Sequence, residues 1–242
     1  MSLKNLFIKI IPLKYHLPLE YALERITGKL EPEIFILPQL IGKGELAIDV
    51  GANFGIYSYA LSKLCKRVEA FEPLPRCVKT IEALNASNVK VHNVGLSSMR
   101  GYMRLYTPII NGIPYTAWSS FNSTEGDYES IDVPIHTLDE YDFKNVSFIK
   151  IDAEGHELEI LRGAAETIKR EKPVLLIEIE QRHLNFPMEE VFKHVLDYGY
   201  CGYFYQNSKL HLLSEFSHSV HQERFNCEGY INNFIFKPLP PA

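Results

Sequence analysis

The sequence of 242 residues has no long apolar run, few cysteines and no excess of basic residues. A membrane-spanning helix needs about 20 consecutive, mainly apolar residues, and no run in the chain approaches that length. The four cysteines, Cys65, Cys77, Cys201 and Cys227, form no C-x-x-C pair, so neither a disulfide framework nor a zinc site is expected. Free thiols are typical of the reducing cytoplasm, and we expect a cytoplasmic protein.

The charge balance excludes one broad class of partner. With a net charge of -5, the chain has no stripe of Lys and Arg that could neutralise a phosphate backbone. We therefore expect no nucleic-acid partner. A hydrophobic content of 46% is enough for one sizeable core, which favours one α/β domain.

The most informative segment is the glycine-rich stretch AIDVGANFGIYS at 47–58. A short apolar strand ends at Asp49, turns through Gly51, Asn53 and Gly55, and leads into a helix, as a site for an adenosine-containing cofactor requires. Glu72 lies 23 residues beyond Asp49. This is near the spacing at which an acidic side chain after the second strand meets ribose hydroxyls.

The spacing of the glycines also bears on the identity of the cofactor. A dinucleotide fingerprint G-x-G-x-x-G that starts at Gly51 needs glycine at position 53 and a small residue at position 56, and the chain has Asn53 and Ile56 there. The acid-x-Gly-x-x-x-Gly pattern of Asp49, Gly51 and Gly55 suits S-adenosylmethionine, which has no pyrophosphate. A glycine turn that only packs strand against helix is the simpler alternative, and a carboxylate at the expected distance argues against it.

A second motif, FIKIDAEGHELEILRG at 148–163, is an apolar strand that ends at Asp152, followed by Glu154, His156 and a helix. With this motif the chain resembles the FkbM-type methyltransferase family. The resemblance covers roughly residues 30–236. It rests on IDVGANFGIYS, FEP at 71–73, HTLDEY at 136–141, IKIDAEGHELEILRG and IEIE at 177–180.

The resemblance implies a class I methyltransferase (Rossmann-like) fold, and the βα rhythm from residue 33 agrees with it. This rhythm predicts an α/β protein with a doubly wound, mainly parallel sheet and antiparallel C-terminal strands. Parallel strands are predicted at 46–50, 68–71, 89–94, 148–151 and 174–179, and antiparallel strands at 200–205, 210–213 and 231–236. Helices are predicted at 34–41, 56–66 and 155–170.

We divide the chain into an N-terminal helical segment, 1–30, and a methyltransferase domain, 31–242. Apolar residues at helical spacing, with lysines nearby, predict a short amphipathic helix at the start of the chain. Packing on the domain or on a second subunit, membrane-surface contact and a wall of the substrate pocket all stay open for it, as does a homo-oligomer. The polar, aromatic stretch at about 108–130 is predicted to be a flap-like insertion over the site, with a mobile surface loop as the alternative.

Side chains that follow parallel strands should meet at one edge of the sheet. The backbone from Gly51 to Gly55 is predicted to hold the methionine part of S-adenosylmethionine, Glu72 its ribose, and residues 93–97 its adenine. The predicted cofactor-binding residues are Asp49, Gly51, Asn53, Gly55, Glu72, Pro73, Asn93, Leu96 and Asp152.

Methyl transfer from a sulfonium requires alignment of the acceptor, and a hydroxyl acceptor also benefits from a general base. The candidate catalytic residues are Asp152, Glu154 and His156. Each has a structural alternative, namely binding the cofactor's amino group, capping the helix, or a solvated position in its first turn. Together with Asp152 and Glu154, Glu178 and His183 would supply ligands that suit Mg²⁺ or Mn²⁺. Carboxylates at strand ends are common without metal, so we predict no metal site.

The motifs together predict an S-adenosylmethionine-dependent methyltransferase. The family resemblance implies O-methylation of a hydroxyl group on a small-molecule, sugar, glycan or natural-product acceptor. Two alternatives belong to other classes. A nicotinamide-dependent oxidoreductase is disfavoured by the absent third glycine, and a non-catalytic cofactor-binding scaffold is disfavoured by intact Asp49, Glu72 and Asp152.

Overall fold

The computed structural model describes residues 11–42, 44–122, 126–225 and 229–240. Most of the amphipathic helix predicted at the start of the chain lies outside these residues. The strands are β1 (Gly44–Val50), β2 (Cys65–Phe71), β3 (Val89–His92), β4 (Gly95–Leu96), β5 (Gly101–Ile110), β6 (Ile113–Pro114), β7 (Tyr128–His136), β8 (Val146–Ile151), β9 (Val174–Glu178), β10 (Tyr200–Gln206), β11 (Lys209–Leu212) and β12 (Asn233–Pro238).

Along the chain, most of the helices alternate with the strands of the central sheet. They are α1 (His16–Thr27), α2 (Pro32–Ile41), α3 (Ile56–Ser62), α4 (Pro75–Ala83), α5 (Glu157–Gly163), α6 (Ala165–Glu171), α7 (Glu189–Leu196) and α8 (His218–His221). Short 3₁₀ turns at Thr116–Trp118 and Gln181–His183 lie in loops that matter for the site. Among the helices of the described residues, none is both long and apolar enough to cross a bilayer.

The central sheet has eight strands in the order β11-β10-β12-β9-β8-β1-β2-β3. Strands β9, β8, β1, β2 and β3 run parallel, and β12, β10 and β11 pair antiparallel at one side. From β1 the chain moves to β2 and β3 on one side, then returns to β8 and β9 on the other. The predicted doubly wound, mainly parallel α/β fold is confirmed, and its switch point lies between β1 and β8.

Both faces of the central sheet are buried, as its nearly continuous apolar strands require. Successive residues of β1 point to opposite faces. Leu46, Ile48 and Val50 pack with α5, α6 and α7, whereas Ala47 packs with α2 and α3. The sheet is therefore a rigid platform whose carboxyl edge positions the loops.

A second sheet, in the order β4-β7-β5-β6, is built from residues 95–136. Its main pair is β5 with β7, antiparallel from Gly101 to Pro108. The stretch predicted as a flap is partly regular. It continues β5 to Ile110, turns back at Asn111 and Gly112 into β6, and forms a 3₁₀ turn before the segment that reaches β7.

Several predicted boundaries differ from the observed ones, and three of these differences have a clear local cause. Helix α3 ends at Ser62 instead of residue 66, because two tight turns follow and Cys65 already pairs with Gly44 of β1. The third strand ends at His92, since the next residues join the second sheet. The helix predicted at 155–170 is broken near Gly163, where a Cβ would lie 2.0 Å from the carbonyl oxygen of Ser97.

Helix α2 buries an acid in its first turn. Glu33 is 5% exposed. Burial, reinforced by the charge of Glu31, raises its pKa from 4.5 to about 7. The folded state therefore binds the proton of Glu33 more tightly than the unfolded chain does, so ionisation of this side chain destabilises the fold.

The free energy of unfolding should accordingly fall as the pH rises from about 4.5 to 7, the window between the two pKa values of Glu33. Glu33→Gln mimics the protonated form. The variant should match the wild type near pH 4 and exceed it at pH 8 by up to about 3 kcal/mol. Urea unfolding at several pH values measures the difference, with exposed Glu189→Gln in the first turn of α7 as the control. Curves for Glu33→Gln and wild type that stay parallel would contradict the assignment.

Candidate functional site

The carboxyl ends of β1 and β8 meet without a side chain between them. Gly51 has a φ of +74°, and a Cβ there would lie 1.7 Å from the carbonyl oxygen of Asp152. The amide of Asp152 also donates to the carbonyl of Val50 at 3.0 Å. Only glycine satisfies both the positive φ and this approach. The two loops that follow these strands therefore start from one point.

Glu72 links the glycine-rich loop to the end of β2. Its two carboxylate oxygens accept hydrogen bonds from the amides of Asn53 and Leu74, both at 2.7 Å. Burial raises the pKa of Glu72 to about 7, and these two hydrogen bonds act in the opposite direction. Each oxygen keeps a lone pair, so the carboxylate can still accept hydrogen bonds from a ligand.

A cleft, here called the sheet-edge cleft, opens along the ends of β1, β2 and β8, with about 610 Å³ of empty space that is partly open to solvent. One wall comes from the central sheet and its loops, and the other from residues 116–121. Seven of the predicted site residues line it, and these are Gly51, Asn53, Glu72, Pro73, Leu96, Asp152 and Glu154. No lysine or arginine lines it among the residues that the structure describes.

A neighbouring cleft, here called the helix-side cleft, lies between the glycine-rich loop and the α1–α2 region, with about 750 Å³ of empty space that is partly open to solvent. It contains the predicted residues Asp49 and Gly55. Asp49 is buried, and its carboxylate accepts a hydrogen bond from Ser58 at 2.5 Å. The two clefts share the lining residues Gly51, Asn53 and Asp152, so they are adjacent at the switch point of the sheet.

Glu154 pairs with a residue from another loop. Its carboxylate lies 2.9 Å from Nε2 of His183, in the 3₁₀ turn after β9. Burial raises the pKa of Glu154. Burial acts to lower the pKa of His183, but the close contact and charge of Glu154, together with the charge of Glu180, outweigh it and raise that pKa. His183 in turn acts to lower the pKa of Glu154, so each group stabilises the charged form of the other.

Residues from the inserted segment hold this pair in place. The hydroxyl of Ser120 donates to the carbonyl of Glu154 at 2.7 Å. The side-chain amide of Asn122 donates to the carbonyl of His183 at 3.5 Å. The guanidinium of Arg182 also lies within 5.8 Å of the ring centroid of Trp118. The wall formed by 116–122 is thus attached to both loops that carry the pair.

Two predicted residues line neither cleft. The side-chain amide of Asn93 donates to the carbonyls of Glu72 and Pro73 at 3.0 and 2.9 Å, so it supports the end of β2. His156 is buried, and its Nε2 lies 2.9 Å from the hydroxyl of Ser97. Burial lowers the pKa of His156. The structure therefore separates His156 from Glu154, although the two are close in sequence.

Lys150 was missed by the sequence reasoning. It is 1% exposed, lines the helix-side cleft, and lies 3.3 Å from Asp152 through Nζ. One feature of the sequence could have identified it. Lys150 is a charged residue within the apolar strand FIKI, on the same face as Phe148. Burying a charge there requires compensation by polar partners, so such a lysine identifies a polar region.

The described residues contain no group of three His, Cys, Asp or Glu side chains placed to hold a metal ion. Glu178, one of the alternative ligands, instead accepts a hydrogen bond from the side chain of Asn232 at 2.6 Å. Cys65, Cys77 and Cys201 are free, and Cys227 lies outside the described residues.

Over residues 49–205 the sequence matches the family model of the methyltransferase FkbM domain, which spans more than half of the chain. This chain belongs to the FkbM methyltransferase family. Its methyl donor is accordingly S-adenosylmethionine, as predicted from the glycine spacing. No curated protein matches the sequence.

Solved structures share the fold at low sequence identity. An FkbM methyltransferase from Methylobacillus flagellatus KT has a TM-score of 0.53 at 18% identity, over 80% of this chain and 44% of that one. This chain therefore spans less than half of that protein. Two structures have lower scores. An rRNA methylase from Streptococcus thermophilus has a TM-score of 0.48 at 12% identity, over 86% of this chain and 95% of that one. A putative methyltransferase from Streptococcus mutans, in complex with SAH, has a TM-score of 0.47 at 14% identity, over 86% of this chain and 96% of that one. At such low identity, the likeness to the FkbM methyltransferase structure is evidence of the fold alone.

Gly51→Ala should destabilise this FkbM protein strongly, since its Cβ would overlap the carbonyl of Asp152. Gly112→Ala is the matched control, because Gly112 has a similar φ of +76° and open space around it. We expect roughly 1 kcal/mol for the control, from backbone strain, and more than about 3 kcal/mol for Gly51→Ala. Equal unfolding free energies for the two variants would contradict the close approach of the strand ends.

Proposed function

We propose that this protein transfers a methyl group from S-adenosylmethionine to a hydroxyl group of a sugar, glycan or other natural-product acceptor. The supporting observation is that Glu154, which lies 2.9 Å from His183, lines the same cleft as Gly51 and Glu72. A cofactor-binding loop and a proton-accepting group thus face one space. The family supplies the reaction class, and the hydroxyl groups of Thr116 and Ser119 in the lining support a hydroxyl acceptor.

The sheet-edge cleft suits the nucleoside part of the cofactor. Glu72 would accept hydrogen bonds from the ribose through the lone pairs that the loop amides leave free. Pro73 and the buried Leu96 offer apolar surface to the adenine. The backbone at Gly51 and the carboxylate of Asp152 continue towards the methionine part. The residues that fit the cofactor therefore follow the strand ends in the order β4, β2, β1 and β8.

Three other predicted residues hold the loops that line the cleft in place. Asp49 holds the first turn of α3 through Ser58, Asn53 ties the loop to Glu72, and Asn93 fixes the end of β2. We therefore assign Asp49 and Asn93 positioning roles. Replacing either residue would change the cofactor affinity by shifting the loop, because neither side chain would contact the reacting atoms.

When bound, S-adenosylmethionine supplies an electrophilic methyl group. The protein must align the acceptor oxygen and provide a place for its proton. Glu154 would accept that proton, because burial raises its pKa and makes the carboxylate a stronger base than an exposed glutamate. His183 fixes the orientation of the carboxylate from 2.9 Å. His156 faces Ser97 instead, so we no longer assign it a catalytic role.

The walls of the sheet-edge cleft favour an uncharged acceptor. Residues 116–121 contribute the side chains of Thr116, Ser119 and Phe121. Hydroxyl groups and an aromatic face suit the polar rim and apolar faces of a sugar ring. The described lining offers no lysine or arginine to bind phosphate. A nucleic-acid acceptor is disfavoured by this lining and by the net charge of -5.

We place the reaction in the cytoplasm. Three of the four cysteines are free thiols in the structure. Such thiols persist in a reducing compartment.

The function is tested by incubating the protein with methyl-labelled S-adenosylmethionine and a panel of glycosides and hydroxylated natural products. We expect label on an acceptor oxygen. Label on nitrogen or carbon, or transfer only to RNA, would contradict the proposed acceptor class.

With an acceptor identified, Glu154→Gln should lower single-turnover rates by roughly 10²- to 10⁴-fold, because the amide cannot take the proton. Its affinity for S-adenosylhomocysteine should stay within about twofold of the wild type. Glu166→Gln, at an exposed glutamate of α6, is the control. Full activity of Glu154→Gln would exclude this carboxylate as the base.

Glu72→Gln should weaken binding of S-adenosylhomocysteine by about 1–3 kcal/mol, the scale for a hydrogen bond to a charged group. Because Glu72 also holds two loop amides, the loss must be separated from loop damage. Calorimetry with the 2′,3′-dideoxy analogue does this, since that ligand has no ribose hydroxyls. An equal loss for both ligands would overturn the ribose assignment, and exposed Glu82→Gln should change neither affinity.

A further inference from the structure

One side of helix α1 packs on the rest of the domain. Leu17 is buried, and a Cβ at Gly55 would lie 3.2 Å from its Cδ2 atom. The ring of Tyr21, one turn further along the helix, lies 5.1 Å from the ring of Tyr59 in an edge-to-face contact. The helix is therefore held against the domain through this side, and its opposite side faces outward.

The outward side of α1 is apolar. Leu19, Leu23 and Ile26 recur at spacings of four and three residues, so they lie on one side of the helix, here called the outer face of α1. Their exposed fractions are 42, 54 and 81%. Leu13 and Tyr15, which precede the helix, are exposed as well. A surface helix normally presents polar side chains to water, so this grouping of apolar ones indicates a partner.

The sequence that leads into the outer face is basic. Before Glu20 the chain has three lysines, Lys4, Lys9 and Lys14, and no acidic residue, although its net charge is -5. Lys14 is exposed, and the other two lie outside the described residues. The two acids of α1, Glu20 and Glu24, line the helix-side cleft. An apolar surface and a stretch of positive charge therefore follow each other directly along the chain.

We propose that the outer face of α1 and the basic stretch before it dock on a membrane surface that contains anionic phospholipids. Apolar side chains of such a helix enter the boundary between headgroups and acyl chains, and lysines are attracted to the negative surface. Cytoplasmic leaflets carry this negative charge. Because α1 also lines the helix-side cleft, docking brings that cleft close to the lipid surface. The inference does not rest on the proposed function.

The charge favours lipid over a second copy of the chain. A symmetric dimer places the same patch of both copies opposite each other. Pairing through the outer face would bring the basic stretches of the two copies together, and their like charges would repel. The same lysines are attracted to an anionic lipid surface. Of the two partners, the lipid surface is the one that complements both the apolar face and the charge.

The first test needs no variant. The full-length protein is sedimented with vesicles of phosphatidylcholine alone and with vesicles that contain phosphatidylcholine and phosphatidylserine in a ratio of about 7:3. We expect at least tenfold tighter binding to the anionic vesicles, and we expect high salt to weaken it because salt screens the attraction. Absence of binding to the anionic vesicles, or equal binding to both kinds, would overturn the proposal.

The second test assigns binding to the outer face. The double variant Leu23→Gln with Ile26→Gln keeps good helix formers at exposed positions and removes the apolar surface. Its affinity for the anionic vesicles should fall at least tenfold. The matched control, Met99→Gln with Val220→Gln, removes two equally exposed apolar side chains elsewhere and should change the affinity by less than about twofold. Equal effects of the two double variants would contradict the assignment.

A third test separates the basic stretch from net charge. Replacing Lys4, Lys9 and Lys14 by Gln should weaken binding to the anionic vesicles at least tenfold. The control makes the same change in net charge at three exposed lysines elsewhere, and these are Lys79, Lys90 and Lys209. Equal losses in the two triple variants would overturn the role of the basic stretch.

Other occupants of the outer face give different results. If a second copy covers it, Leu23→Gln with Ile26→Gln should convert a dimer to a monomer in analytical ultracentrifugation and leave vesicle binding unchanged. If residues 1–10 of the same chain cover it, the variant should lower the free energy of unfolding well below that of the matched control, again without a change in vesicle binding. Either result would overturn the proposal.

Discussion

The contact between Gly51 and the carbonyl oxygen of Asp152 determines where the other groups of the site can lie. It brings the ends of two parallel strands together at the point where the chain reverses its direction across the sheet. From that point one loop runs towards β2 and Glu72, and the other runs towards β9 and His183. A side chain at Gly51 would separate these loops, so the two clefts depend on this one backbone approach.

The site concentrates carboxylates, and the fold stabilises most of them with fixed donors. Glu72 accepts from two loop amides, and Asp49 accepts from Ser58. Glu157 accepts from the amides that follow β8. Burial nevertheless raises the pKa of each of these acids to the range of about 6 to 7. Hydrogen bonds thus offset only part of the desolvation, and the carboxyl edge of the sheet remains acidic.

Local patterns predicted the fold and the first cleft because their residues are close in sequence. The acid and glycines of the β1 loop, and the carboxylate after β2, follow from spacing along one βαβ unit. The pairing of Glu154 with His183 joins two loops that only the sheet order brings together. His156 illustrates the opposite error. Positive φ values of +49° at Glu154 and +96° at Gly155 turn the chain there, and the imidazole then faces Ser97.

The acidity of the site connects binding to chemistry under the proposed function. A sulfonium donor brings a positive charge to a cleft edged by Glu72, Asp152 and Glu154, where it is favoured electrostatically over a neutral thioether. Such a charge would lower the pKa of a nearby carboxyl such as Glu154 and so favour the ionised form in which a general base acts. The same acidic edge would therefore serve both the binding of the donor and the proton-accepting carboxylate.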